Sequence, residues 1–135
     1  MADREAVRRL IEQAYAARGR GDVAGILADF HAEASFELVG DDKLLVVAGA
    51  TRGHSNLTQT LTQLCAAFEF TKREYISFLI DGDRAAVHSR VTIRFVPKNH
   101  PFTTDMLDLF TIRDGKIVEL IEFADTALIK HLTSA

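Results

Sequence analysis

Asp108 and Glu122 are the residues of this chain whose type and setting point to chemistry. Each lies within an apolar run, Met106 to Ile112 or Ile117 to Ala124, and a carboxyl group in a β-rich core is costly unless it is paired or protonated. Two such groups on one wall resist ionising together, so they share a proton and one of the two pKa values rises. A pair of this kind can move protons between carbon or oxygen atoms of a bound molecule without help from a metal or cofactor.

Whether the acids share a wall depends on the turn between the runs, Arg113-Asp114-Gly115-Lys116. Asp-Gly between alternating segments is a strong hairpin signal. A two-residue turn pairs Asp108 with Ile121 and sends Glu122 to the other side of the sheet. A three-residue loop, with Gly115 left-handed beside a bulge, pairs Asp108 with Leu120 and Met106 with Glu122. The three-residue loop is the expectation, because it gives Gly115 a positional role. Both acids then face Met106, Phe110, Leu120 and Ala124, with Leu107, Leu109, Ile121 and Phe123 on the opposite face.

The remaining elements must build the rest of that wall. Val7, Leu10, Ile11, Ala14, Tyr15 and Arg18 follow the spacing of an amphipathic helix opened by Asp3 and closed near Gly19. Asp22 caps a shorter helix through Val23, Ile26, Leu27 and Phe30. Ser35 to Val39 reads as a short strand, Gly40-Asp41-Asp42 as a turn, and Leu44 to Ala48 as a continuous apolar run. A third helix spans about Ser55 to Phe68. Strands at Tyr75 to Ile80, Ala85 to Val96, Phe102 to Ile112 and Ile117 to Ala124 follow as an antiparallel meander, and Asp125 to Leu132 forms a last short helix. In the second of these strands His88, Arg90, Thr92 and Arg94 take one parity and Val87, Val91, Ile93 and Phe95 the other, so the polar set faces outward.

The bulk numbers narrow the function. At 135 residues the chain fits one domain, residues 1–135, and a chain near this length buries roughly two-thirds of its unfolded surface. A net charge of −3 with 26% charged residues offers no nucleic-acid footprint. No run approaches the roughly 18 apolar residues that would cross a bilayer, and Cys65, the single cysteine, reads as a small packed hydrophobe. A cytoplasmic protein is the expectation. His31, His54, His88, His100 and His131 lack metal-ligand spacing; His54 reads as part of the entry to helix three. No phosphate-binding glycine loop, Ser/His/Asp arrangement or redox motif is present, which disfavours hydride and phosphoryl transfer. No metal and no cofactor are expected.

Gly21-Asp22, Phe30 to Phe36, Arg52-Gly53-His54 and Asp114 to Ile117, taken in this element order, resemble the nuclear transport factor 2-like superfamily. This group includes SnoaL-like polyketide cyclases, ketosteroid isomerases, limonene epoxide hydrolases and scytalone dehydratases. The resemblance covers nearly the whole chain. It implies an α+β, cone-shaped curved antiparallel sheet, covered by about three N-terminal and central helices, around an internal pocket. By it, Asp108 falls where the isomerases keep an acid that donates to a developing oxyanion, the isomerase base falls at Leu38, and the tyrosine falls at Ala14 with Tyr15 one step around the helix. Against the epoxide hydrolases, Glu122 falls at a catalytic acid and Arg90-Val91-Thr92 at the arginine, spacer and second aspartate, with Leu38 again at the asparagine that holds the water. That alignment would turn Arg90 inward, against the outward parity of its strand.

The combined expectation is a small, largely apolar molecule held by Tyr15, Phe30, Phe36, Leu38, Met106, Phe110 and Leu120, with Asp108 and Glu122 as catalytic acids. Asp108 would be the protonated donor to an enolate-like oxygen and Glu122 the base of an isomerase, cyclase or dehydratase. The alternative is a non-catalytic binding or dimerisation module of the same fold. Leu107, Leu109, Ile121 and Phe123 would leave an apolar outer sheet face, for which a second copy of the chain is the simplest partner.

Overall fold

The computed structural model describes residues 3–43, 45 and 47–134. Its elements are α1 (Arg4–Gly19), α2 (Val23–Ala28), β1 (Phe30–Leu38), β2 (Gly49–Arg52), α3 (His54–Ala67), β3 (Phe68–Asp81), β4 (Arg84–Phe95), a 3₁₀ turn (Val96–Lys98), β5 (His100–Arg113), β6 (Lys116–Phe123) and α4 (Thr126–Thr133). The strands form one sheet in the order β2-β1-β6-β5-β4-β3. From β3 to β6 it is the expected antiparallel meander, but β1 runs parallel to β6, so the sheet is mixed rather than antiparallel throughout. The chain between β1 and β6 runs through β2, α3 and the β3–β5 meander, and a long connection of this kind is what parallel neighbours need.

Two of the helices, α2 and α4, begin on an aspartate side-chain cap. The Asp22 side chain accepts from the Gly25 N–H at 2.9 Å, and the Asp125 side chain accepts from Leu128 N–H at 3.1 Å. Asp3 occupies the N-cap position of α1 without making a side-chain cap. Val7, Ile11, Ala14 and Ala17 form the buried stripe of α1, at the spacing that puts them on one face of a helix. Phe30, placed by periodicity at the end of the second helix, instead opens β1; α2 stops at Ala28. Leu44 and Val46, from the expected apolar run, lie outside the described residues, and the strand beside β1 is formed by Gly49–Arg52.

Curvature comes from irregularities in the ladders. β3 carries breaks in register between Phe70 and Lys72 and between Tyr75 and Ser77, which leave Thr71 and Ile76 unpaired against β4. Bulges of this kind bend a strand and increase its twist. β3 is also far longer than the predicted Tyr75 to Ile80, because two changes of parity interrupt the alternation by which a strand is recognised. Ala85, Val87, Ser89, Val91, Ile93 and Phe95 of β4 are all buried against the helices, while His88, Arg90, Thr92 and Arg94 take the outer face.

Candidate functional site

The last hairpin departs from the expected register and still joins the two acids. Arg113 pairs with Lys116 around a two-residue turn in which Asp114 (φ 54°) and Gly115 (φ 72°) both have positive φ, the requirement of a type I′ connection. The ladder then shifts between Ile112↔Ile117 and Thr111↔Glu119, where β6 absorbs one extra residue. Past that bulge Asp108 stands directly opposite Glu122, neither opposite Leu120 nor opposite Ile121. On its other flank Glu122 pairs with Leu38 of β1.

Asp108 is 0% exposed. The Tyr15 hydroxyl, delivered by α1, donates to its Oδ2 at 2.5 Å. Tyrosine is thus supplied one residue beyond the Ala14 position that the isomerase resemblance indicates. Asp108 Oδ1 meets no N–H or hydroxyl donor, yet the Glu122 carboxyl lies within hydrogen-bonding reach of Asp108. Two carboxylates there would leave Oδ1 bare and place like charges side by side; one proton on Glu122 removes both difficulties.

The electrostatics agree with that arrangement. Burial raises the Asp108 pKa, and hydrogen bonds from Glu122 and Tyr15, with the charge of Arg73, oppose the rise. Glu122 is pushed well above the ordinary glutamate range by burial, then by the charge of Asp108 and the hydrogen bond to it, with Arg73 and Arg18 opposing. Protein encloses Glu122 on every side, and it still keeps partial exposure because it borders a cavity. Tyr15 is held well above its usual value, first by burial and next by Asp108, so its hydroxyl remains a donor.

The cavity measures about 100 Å³. An engineered apolar cavity of ~150 Å³ takes benzene, so this space suits about one ring. Tyr15, Phe30, Phe36, Leu38, Met106, Phe110, Leu120 and Glu122 all line it; Asp108 does not, and sits behind Glu122 and Tyr15. A donor role for Asp108 toward a bound oxygen therefore lacks a line of contact, and Glu122 is the acid within reach.

Two charged lining residues, Arg73 and Arg18, escaped the sequence reading as site residues. Arg73 of β3 stacks its guanidinium carbon 3.7 Å from the Tyr15 ring centroid and donates from Nη1 to the Ser89 hydroxyl at 2.9 Å. Arg18, one helical turn after Tyr15, donates to Phe68 O at 2.8 Å, to Leu64 O at 3.3 Å and to Cys65 Sγ at 3.4 Å, closing the C-terminal end of α3. Burial lowers its pKa, with Cys65 and Glu122 opposing. Sequence offered a signal for Arg18, since it shares the apolar stripe of α1. It offered little for Arg73, whose parity is fixed by the β3 bulges.

Other candidates lie elsewhere. Arg90 is on the outer face, where it donates to Asp105 at 2.9 Å and where His88 meets the same carboxylate at 2.9 Å. The outward parity therefore holds, and the epoxide-hydrolase position of Arg90 does not reach the cavity. His54 ties the start of α3 to β1 through Phe30 O at 3.0 Å, while Gly53 takes the N-cap position. Among the described residues no group of three or more His, Cys, Asp or Glu is placed to hold a metal ion, and no helix is long and apolar enough to cross a membrane.

A profile of the SnoaL-like domain matches residues 7–120, and the chain belongs to that family. Among solved structures it is similar to an NTF2-like protein of unknown function from Burkholderia pseudomallei, at 18% identity over 100% of both chains with a TM-score of 0.84. It is likewise similar to an NTF2-like protein from Burkholderia xenovorans, at 26% identity over 96% of this chain and 97% of the other, TM-score 0.78. A third similar structure is TerC co-crystallised with polyporic acid, at 21% identity over 94% and 97% of the two chains, TM-score 0.81. A search of curated proteins found no match.

Proposed function

We propose that this protein, acting as one domain over residues 1–135, binds a small, largely apolar ring compound and transfers a proton on it without a cofactor, as an isomerase, cyclase or dehydratase does. The observation that carries the reading is the Asp108–Glu122 pair in direct cross-strand register on the wall of an apolar cavity, braced by Tyr15. Glu122 touches the ligand and is the catalytic residue. With the shared proton on Glu122 it is a general acid; once that proton is given to the ligand or drawn toward Asp108, the freed oxygen is a base. Asp108 and Tyr15 are positioning residues that set which carboxyl holds the proton. The similar TerC structure, co-crystallised with polyporic acid, supports a small-molecule ligand for a protein of this fold.

The test is hydrogen exchange at carbon. Cyclohexanone and 2-cyclohexenone, monocyclic ketones near the cavity size, are incubated in D₂O with the protein and followed by NMR. Exchange beside the carbonyl above the buffer rate, lost in Glu122→Gln, is the expected result; equal exchange in both proteins defeats the assignment of Glu122. A second reading, a binding module without catalysis, is favoured by Leu38, which lines the cavity where the isomerases carry their base. It gains ground if no ketone or enone exchanges.

The outer sheet face is proposed to meet a second copy of the chain. Leu107 and Phe123, 38% and 41% exposed, are direct cross-strand neighbours there. The lone Cys65, which makes no disulfide within the chain, suits the reducing cytoplasm.

A further inference from the structure

Arg73 brings a positive charge to the cavity wall. Its guanidinium presents a planar fork of N–H donors with no acceptor. The Tyr15 ring beneath it and the Ser89 hydroxyl beside it hold the plane in one orientation. Ser89, itself 0% exposed, takes only Nη1. Among the described residues, Nε and Nη2 make no hydrogen bond, and no carboxylate lies within ion-pair distance of the group.

Arg18 differs: both of its Nη groups are engaged, Nη1 by Cys65 and Nη2 by the carbonyls at the end of α3. Its charge still adds to that of Arg73 on the same wall. Two guanidiniums therefore face two carboxyl groups, and the bare Asp108 Oδ1 requires that those carboxyls hold a proton between them. With Asp108 counted behind the lining, the wall then carries one positive charge in excess, beside a space otherwise apolar. The unused Nε–Nη2 edge has the fork geometry that a carboxylate fits.

Building on the proton-transfer reading of the same cavity, we propose that the ligand is a monocyclic organic carboxylate, with its carboxylate on the Nε–Nη2 edge of Arg73 and its ring against the apolar wall beside Glu122. Arg73 is then the specificity residue and Glu122 the reacting one. Anchoring one end of the molecule leaves the ring carbon or ring oxygen near Glu122 in a fixed orientation, which raises the effective concentration of the reacting atoms.

Benzoate and its neutral isostere benzamide, titrated into the full chain at pH 7 and followed by NMR, test this directly. Benzoate is expected to bind about tenfold tighter or more than benzamide, the difference a charge-assisted bidentate pair supplies. Arg73→Gln should erase that preference, bringing the two affinities together, and Arg73→Lys, which keeps charge but not the planar fork, should retain part of it. Equal affinity of the two probes for the unaltered protein overturns the proposal without need of a variant. A preference that survives in Arg73→Gln, or absence of binding by either probe up to about 10 mM, overturns it as well. Ketone exchange in D₂O without benzoate preference would defeat the ligand class and leave proton transfer standing; benzoate preference without exchange would do the reverse.

Discussion

Tyr15 and Asp108, 93 residues apart in the chain, are joined by a 2.5 Å hydrogen bond that ties the first helix to the fifth strand. The bond runs from a phenol that stays protonated to a carboxyl that has no exposed surface. It therefore stabilises the ionised form of Asp108, and through Asp108 it leaves the shared proton on Glu122.

Removing that donor should loosen the division of labour between the acids. Tyr15→Phe is expected to raise the lower of the two carboxyl titrations, read by carbon NMR of the side-chain carboxyls. It should also cost about 1–3 kcal/mol of stability at neutral pH, the range for leaving a buried charged acceptor short of a partner. An unmoved titration would mean that Tyr15 does not brace the pair in solution.

Glu122 should make stability fall as pH rises. Its folded pKa lies above the ordinary value of 4.5, so from that value upward the folded state binds a proton that the unfolded chain has already released. The contribution is fully present below 4.5 and is lost as pH climbs through the raised value, at a slope of up to about 1.4 kcal/mol per pH unit. Glu122→Gln, neutral throughout, should flatten that slope and be the more stable protein at alkaline pH. Parallel pH curves for the two proteins, from urea unfolding, would contradict the assignment.

The turn offers a stability test away from the cavity. Gly115 has φ 72° and open space around its Cα, so a side chain there meets only backbone strain. Gly115→Val should lower stability by about 1 kcal/mol or more, seen as a lower thermal midpoint, with the Asp108–Glu122 register preserved because the bulge in β6 is untouched.

Charge on the outer face should separate the proposed dimer. Sedimentation of the unaltered protein at tens of micromolar is expected to give twice the chain mass, and Phe123→Lys, opposite Leu107, the mass of one chain. A monomer at the outset, or a dimer that survives the lysine, would remove this face from consideration.

Sequence made the cavity wall legible where period-two alternation ran undisturbed. Met106 and Phe110 of β5, with Asp108 behind the wall on the same parity, and the inward set of β4 follow from parity alone. The same rule failed for Arg73, because Thr71 and Ile76 each reset the parity of β3, and nothing local marks them as extra residues. It also misplaced the reason for the shared face of the acids: the turn is two residues long, and the needed extra residue enters further along β6. Tyr15 was legible as part of an apolar helical stripe, but its bond to Asp108 joins the two ends of the chain and no window of sequence contains it. The parallel pairing of β1 with β6 was hidden for the same reason.

The irregularity between Ile117 and Glu119 divides β6 into two stretches with independent reading frames. Ile117 is fully buried on the inner side, and Leu120 and Glu122, which a regular strand would turn the other way, face inward too. A strand without the extra residue obliges one parity to serve both its ends, so any shift made to improve packing at the turn would swing the acid out of the cavity. Here the end near the turn can be spliced, shortened or repacked by the rules of the core, while the end that carries Glu122 keeps its own phase. Shortening β6 by one residue at Val118 would even retain Asp108 opposite Glu122, with a straighter strand in place of the bent one. The insertion thus works as a phase joint, letting a structural segment and a chemical segment change separately within a single strand.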